Sequence, residues 1–241
     1  VGALPDPIEA VLLDAGGVLL DLDFGYVRRL IETPGFTVAE TELARLEAEA
    51  RREIHRHVQD GGRVSEAWRD YFHIILGRSG VPVDRQSGVI DSLWEAHQRF
   101  GLWTVAVDGA VEVVRGLRDA GFRIGVVSNA EGRVEQDLHG AGFEGLLETV
   151  VDSHVVGVEK PDPAIFEIAL ERLGVARERC VFVGDVPAVD LAGARAAGIA
   201  PILLDRHGIY DDADAPHIDS IRKLPALLRR GAAGVVGAEG G

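Results

Sequence analysis

VLLDAGGVLLD, residues 11–21, is an apolar run that delivers a carboxylate, Asp14, into a turn where Gly16 and Gly17 let the backbone come close to a ligand. Three further runs have the same build, at 123–127, 180–183 and 200–204, each followed by Gly or Asp and then by a helical pattern. A weaker strand is expected over 148–152. Continuous rather than alternating hydrophobicity marks strands covered on both faces, which implies a parallel sheet in an α/β fold. Such sheets bind ligands at the carboxyl ends of their strands. Asp14, Ser128 and Asp185 all fall just past such an end, as a shared site requires.

Between the first two of these runs the sequence changes character. VAETELARLEAEARREIHRHV spaces Leu and Ala helically among alternating charges, with Thr37 before it as an N-cap. Further helical patterns run over 65–76 and 84–100. Asp108 is placed to cap GAVEVVRGLRDAG, with Gly121 as its stop. The final GAAGVVGAEGG has no period and reads as a disordered tail.

The chain of 241 residues is long enough for one large domain carrying an insertion. No apolar run reaches the roughly 18 residues of a membrane span, and there is no signal-peptide pattern, so a soluble, cytoplasmic protein is expected. A formal net charge of −14 argues against a nucleic-acid partner. It leaves room for a small anionic substrate, because a metal ion and one lysine reverse the sign locally. Cys180 is the sole cysteine, which excludes an internal disulfide, and its setting at the start of an apolar run makes it a core residue. Lys160 and Lys223 are the only lysines.

Each candidate site residue has an ordinary reading beside its chemical one. Asp14 alone reads as a turn residue or helix cap, and as a nucleophilic carboxylate when taken with the others. Ser128 and Asn129, in VVSNAEG, offer a hydroxyl and an amide to the oxygens of a transferring group, or form a common turn. Lys160 stands before Pro161 in VEKPDPAIF, away from helical backbone, and a lone lysine there ordinarily reads as solvated surface. Asp185 and Asp190 bracket the turn between VFVG and a Gly/Ala-rich helix, giving hard oxygen ligands suited to Mg²⁺, or a cap and a surface acid. The histidines at 55, 57, 73 and 97 have no metal-ligand spacing and read as exposed, while Trp68, Trp94 and Trp103 read as packing.

Taken in order, the four islands from Val11 to Leu204 resemble the motifs of the haloacid dehalogenase superfamily. The resemblance implies a Rossmann-like core over 1–21 and 108–230, a helical cap over 22–107 that selects substrate, and a tail over 231–241. It also implies Mg²⁺-dependent hydrolysis of small phosphorylated metabolites through an aspartyl phosphate on Asp14, in a monomer or homodimer. Ser128, Asn129 and Lys160 would serve the transferring group, and Asp14, the Gly16 carbonyl, Asp185 and Asp190 would serve the metal.

One departure matters. Phosphatases of this superfamily usually carry a second Asp two residues after the nucleophile as general acid and base, and this chain has Gly16 there. Asp21 matches another acid of the motif, which is not the catalytic one. Loss of general acid and base help removes roughly 10²–10⁴-fold in rate. That points to acyl, enol or aryl phosphates, whose leaving groups need little protonation, or to an acid borrowed from the cap. The alternatives are a 2-haloacid dehalogenase, whose halide leaves unprotonated but whose fourth motif differs from VGDVPAVD, and a non-catalytic homologue that binds a phosphometabolite or a partner. A Schiff-base phosphonate hydrolase needs a cap lysine, and 22–107 contains none.

Overall fold

The computed structural model describes residues 4–63, 67–210 and 213–233. In chain order the elements are β1 Ala10–Leu13, β2 Leu20–Leu22, α1 Phe24–Ile31, α2 Glu40–Gln59, α3 Trp68–Arg78, α4 Val83–Phe100, β3 Trp103–Ala106, α5 Ala110–Asp119, β4 Arg123–Ser128 and α6 Val134–Leu138. They continue as β5 Thr149–Asp152, the single turn α7 Ser153–Val156, α8 Ala164–Leu173, β6 Cys180–Gly184, α9 Ala192–Ala196, β7 Ala200–Leu204, β8 His217–Ile218 and α10 Leu224–Ala233.

Six strands form one parallel sheet in the order β5-β4-β1-β6-β7-β8. Because successive side chains point to opposite faces, each central strand feeds two cores. Val11 and Leu13 of β1, with Val181 and Val183 of β6, pack into a core that takes in Val114 and Leu117 of α5 and Leu224 of α10. Ala10, Leu12, Cys180 and Phe182 point the other way, against Ile165, Phe166 and Ala169 of α8 and Ala194 of α9. Full burial of each such Leu or Phe contributes about 1.5–3 kcal/mol, which is why these runs read as unbroken hydrophobicity.

β1 lies between β4 and β6, with Leu13 opposite both Val126 and Val183. Ser128, at the end of β4, lies opposite Asp152 of β5. This register brings the carboxyl ends of β1, β4 and β6 to one edge. β2 and β3 form a separate antiparallel ribbon, Leu20 opposite Ala106, which carries the chain out to α1–α4 and back. Those four helices have their own core around Val27, Leu43, Leu46, Phe72, Ile75, Ile90 and Leu93. The protein is therefore an α/β fold with a Rossmann-like sheet and a helical insertion.

Several local details depart from the sequence reading. The long helix α2 starts at Glu40 after Ala39, while the Thr37 hydroxyl donates to Glu32 Oε1 at 2.7 Å, two residues too early to cap. α5 starts after Gly109 without a side-chain cap, and Asp108 instead pairs with Arg222. Long-range ion pairing has outcompeted local capping at Asp108. α10 runs to Ala233, into the stretch read as tail; residues 234–241 and Ser65, expected to begin a helix, lie outside the described residues.

Candidate active site

Asp14 follows β1 directly, and its backbone N–H donates to Val183 of β6 at 2.9 Å, so the sheet fixes its main chain. Its Oδ1 accepts from the Ala15 N–H at 2.7 Å and lies 2.8 Å from Lys160 Nζ. The same ammonium lies 2.7 Å from Asp190 Oδ1. Asp190 Oδ2 accepts from the backbone N–H groups of Asp185 and Val186 at 2.9 and 2.8 Å, tying down the turn after β6. Both Asp190 oxygens are thus engaged by the protein, one on Lys160 and one on the loop that presents Asp185.

Lys160 is 1% exposed and has no helix or strand to hold it. Asn129 does so instead: its Oδ1 accepts from the Lys160 N–H at 2.7 Å, and its Nδ2 donates to the Lys160 carbonyl at 2.9 Å. The sequence reading gave this amide to the transferring group; in the structure both of its polar atoms are engaged by the Lys160 main chain. Ser128, also buried, lines the cavity beside it.

Carboxylate oxygens of Asp14, Asp185 and Asp190 all lie within 4.8 Å of one another. Burial pushes the Asp14 carboxyl up to about 6, against the opposing pull of Lys160. Burial likewise pushes Asp185 up to about 7, opposed by Arg51. Crowded, buried acids of this kind gain from a hard cation, and an all-oxygen donor set fits Mg²⁺. Lys160 is desolvated, yet the charges of Asp14 and Asp190 outweigh that and hold it protonated.

Arg51 of α2 is a participant that the sequence reading missed. It reaches out of the insertion to ion-pair with Asp185, while its Nε donates to Glu47 Oε1 at 2.6 Å. Tyr71 of α3 donates to the same Glu47 oxygen at 2.5 Å. A further tie joins the two halves, since His55 Nδ1 accepts from the Ala188 N–H at 3.0 Å. His97, expected on the surface, is 6% exposed, with Nε2 2.7 Å from Glu131 Oε2. Asp21 is held by Arg206, outside the acid cluster.

Above the acids lies a cavity of about 570 Å³, walled by both the sheet edge and the helical insertion. Asp14, Ser128, Lys160 and Asp185 line one side of it, and Arg51, Trp68, Trp94 and His97 the other.

The model of the haloacid dehalogenase-like hydrolases matches residues 8–198. The chain belongs to this family. Among its relatives, a haloacid dehalogenase-like hydrolase domain-containing protein 3 from Mus musculus is 32% identical over 161 residues, 66% of this chain and 64% of the mouse protein. The chain thus spans a little under two thirds of that relative. A glyceraldehyde 3-phosphate phosphatase from Methanopyrus kandleri is 30% identical over 222 residues, 89% of this chain and 91% of the relative. The magnesium-bound structure of the HAD-hydrolase YfnB from Bacillus subtilis superposes with a TM-score of 0.69 at 18% identity, covering 92% of this chain and 98% of YfnB. At that identity the likeness speaks for the fold alone.

Proposed function

We propose that this HAD-like hydrolase is a Mg²⁺-dependent phosphohydrolase of small phosphorylated molecules, working through an aspartyl phosphate on Asp14. The observation that carries this reading is the Lys160 ammonium set between Asp14 and Asp190, beside Asp185, in the lining of one cavity. The relation to a phosphatase over nearly the full chain supports it.

Asp14 is the nucleophile, and its sheet-fixed main chain aims the carboxylate into the cavity. Lys160 supplies charge to the phosphoryl oxygens while holding Asp14 in place, and Ser128 offers a hydroxyl to the same group. Asp14 and Asp185 would hold the cation together with the Gly16 carbonyl; Asp190 would act mainly by fixing Lys160 and the Asp185 loop. When bound, the cation supplies positive charge at the transferring group and offsets the repulsion between the buried acids. Gly16 brings no acid to the leaving oxygen, so protonation there must come from elsewhere or be dispensable.

The test is hydrolysis of 4-nitrophenyl phosphate by the wild type and Asp14→Asn, with Mg²⁺ and with chelator, alongside halide release from a 2-haloacid. Phosphate release that needs both Asp14 and Mg²⁺ is expected. Metal-independent halide release would instead make the protein a dehalogenase, and silence in both assays would favour a binding role.

A further inference from the structure

The cavity is much larger than the acid cluster, and its outer wall is aromatic. Trp68, Tyr71, Trp94, His97 and Trp103 all line it. Trp68 meets Trp94 edge to face at 4.9 Å between ring centroids, and stacks on His97 at 6.2 Å with 21° between planes. His97 in turn meets Trp103 at 5.5 Å and 76°. In a core these contacts would close the space; here they border an opening, with Trp94 36% exposed.

Two features tie this wall to the reacting end. First, a side chain at Gly16 would start 3.7 Å from Trp103 Cδ1 and 3.9 Å from its Nε1. An indole therefore flanks the place where related phosphatases carry their general acid. Second, the buried His97 ring bonds Glu131 through Nε2, while its Nδ1, like Trp68 Nε1, has no hydrogen-bond partner among the described residues. Both nitrogens are closed off from solvent, so these two side chains offer the cavity ring surface and no free polar edge.

We propose that the substrate is an aryl phosphate: a planar aromatic body esterified to phosphate through a phenol-type oxygen. This inference rests on the phosphohydrolase reading and names its substrate class. A cavity of about 570 Å³ has room for one or two fused rings. The rings of Trp68, Trp94 and Trp103 supply stacking surface. Asp14 attacks phosphorus, the bond from phosphorus to the aryl oxygen breaks, and the phenolate leaves with the electron pair, taking its proton from solvent. Water then attacks the aspartyl phosphate, releasing inorganic phosphate and regenerating the Asp14 carboxylate. Because a phenolate is a far better leaving group than an alkoxide, the step proceeds with Gly16 beside an indole instead of an acid.

Two experiments test this separately from the parent reading. In the first, 1-naphthyl phosphate and glycerol 3-phosphate are compared as substrates of the wild type with Mg²⁺. The aryl ester is expected to show kcat/KM higher by roughly 10²-fold or more. In the second, tryptophan fluorescence follows binding of phenylphosphonate and ethylphosphonate, neither of which can be hydrolysed. Phenylphosphonate should bind more tightly, and Trp94→Leu and His97→Leu should each weaken it by up to about 10-fold while leaving ethylphosphonate unchanged. Equal binding of the two phosphonates, or equal turnover of the two esters, overturns the aryl assignment. Selective phenylphosphonate binding without turnover of any phosphate supports the aromatic site and sinks the phosphohydrolase reading.

Discussion

The Arg51 guanidinium, carried on α2, is ion-paired to the Asp185 carboxylate just past β6, 134 residues further along the chain. Burial opposes its charge, but Glu47 and Asp185 hold the guanidinium fully protonated. It sits on an acid proposed to hold the cation, so Arg51 and Mg²⁺ would compete for Asp185. In Arg51→Gln, Mg²⁺ is expected to bind about 10-fold more tightly or better, since an adjacent positive charge is gone. Without metal the variant should be less stable by about 3–5 kcal/mol, because Asp185 loses a buried partner. Thermal melts across a Mg²⁺ titration read both effects; an unchanged midpoint shift with Mg²⁺ would rule out competition.

Gly17 is wedged between the two halves, against Asp185 of the sheet edge and Arg51 of the insertion. Its φ of +76° is one that residues with a side chain rarely adopt, and a Cβ there would run into both Asp185 and Arg51. Gly17→Ala should therefore lose about 1–3 kcal/mol in backbone strain alone. Displacement of the Arg51 and Asp185 pair adds to that. Urea unfolding should show a lower midpoint, and Gly16→Ala, whose Cβ has ordinary room, serves as the control.

Cys180 is fully buried in β6 against the sheet's second face, and burial pushes its thiol up to about 12. The reactive thiolate is thus negligible at pH 8 in the folded state, whereas an unfolded chain exposes an ordinary cysteine. A thiol reagent such as DTNB should give no signal with native protein and one equivalent in denaturant. Labelling of native protein within minutes would mean that β6 opens readily.

Much of this architecture could be read locally. Asp14, Ser128 and Asp185 were legible because a buried parallel strand writes itself as a short apolar run, and the residue after it faces the ligand edge. Lys160 was legible because it is one of only two lysines and stands in VEKPDPAIF, which resembles the family's third motif. Arg51 was not singled out, since LARLEAEARREIH alternates charges in a way that reads as a solvated face. The signal was nevertheless present: Glu47 and Arg51 fall at helical spacing from Leu43, Leu46 and Ala50, all buried, so two charges share the apolar stripe. His97 has the same signature beside Leu93 and Ala96 on α4. What they pair with depends on how the insertion folds back over the sheet, and no local pattern carries that information.

Lys160 gives the strictest test of the site. Its ammonium is sealed between Asp14 and Asp190, and Asn129 clamps its main chain on both sides. Lys160→Met keeps the apolar stem but leaves two acids facing each other without a cation. If Lys160 stabilises the transferring phosphoryl group, kcat on 4-nitrophenyl phosphate should fall by about 10²–10³-fold. Lys160→Arg should not restore it, because a planar guanidinium does not fit a slot shaped for one compact charge. Asn129→Ala, which leaves the ammonium in place but frees its loop, should lose less than Lys160→Met. An Arg variant with near-normal kcat would mean that charge alone suffices, and that the Asn129 clamp has no part in positioning it.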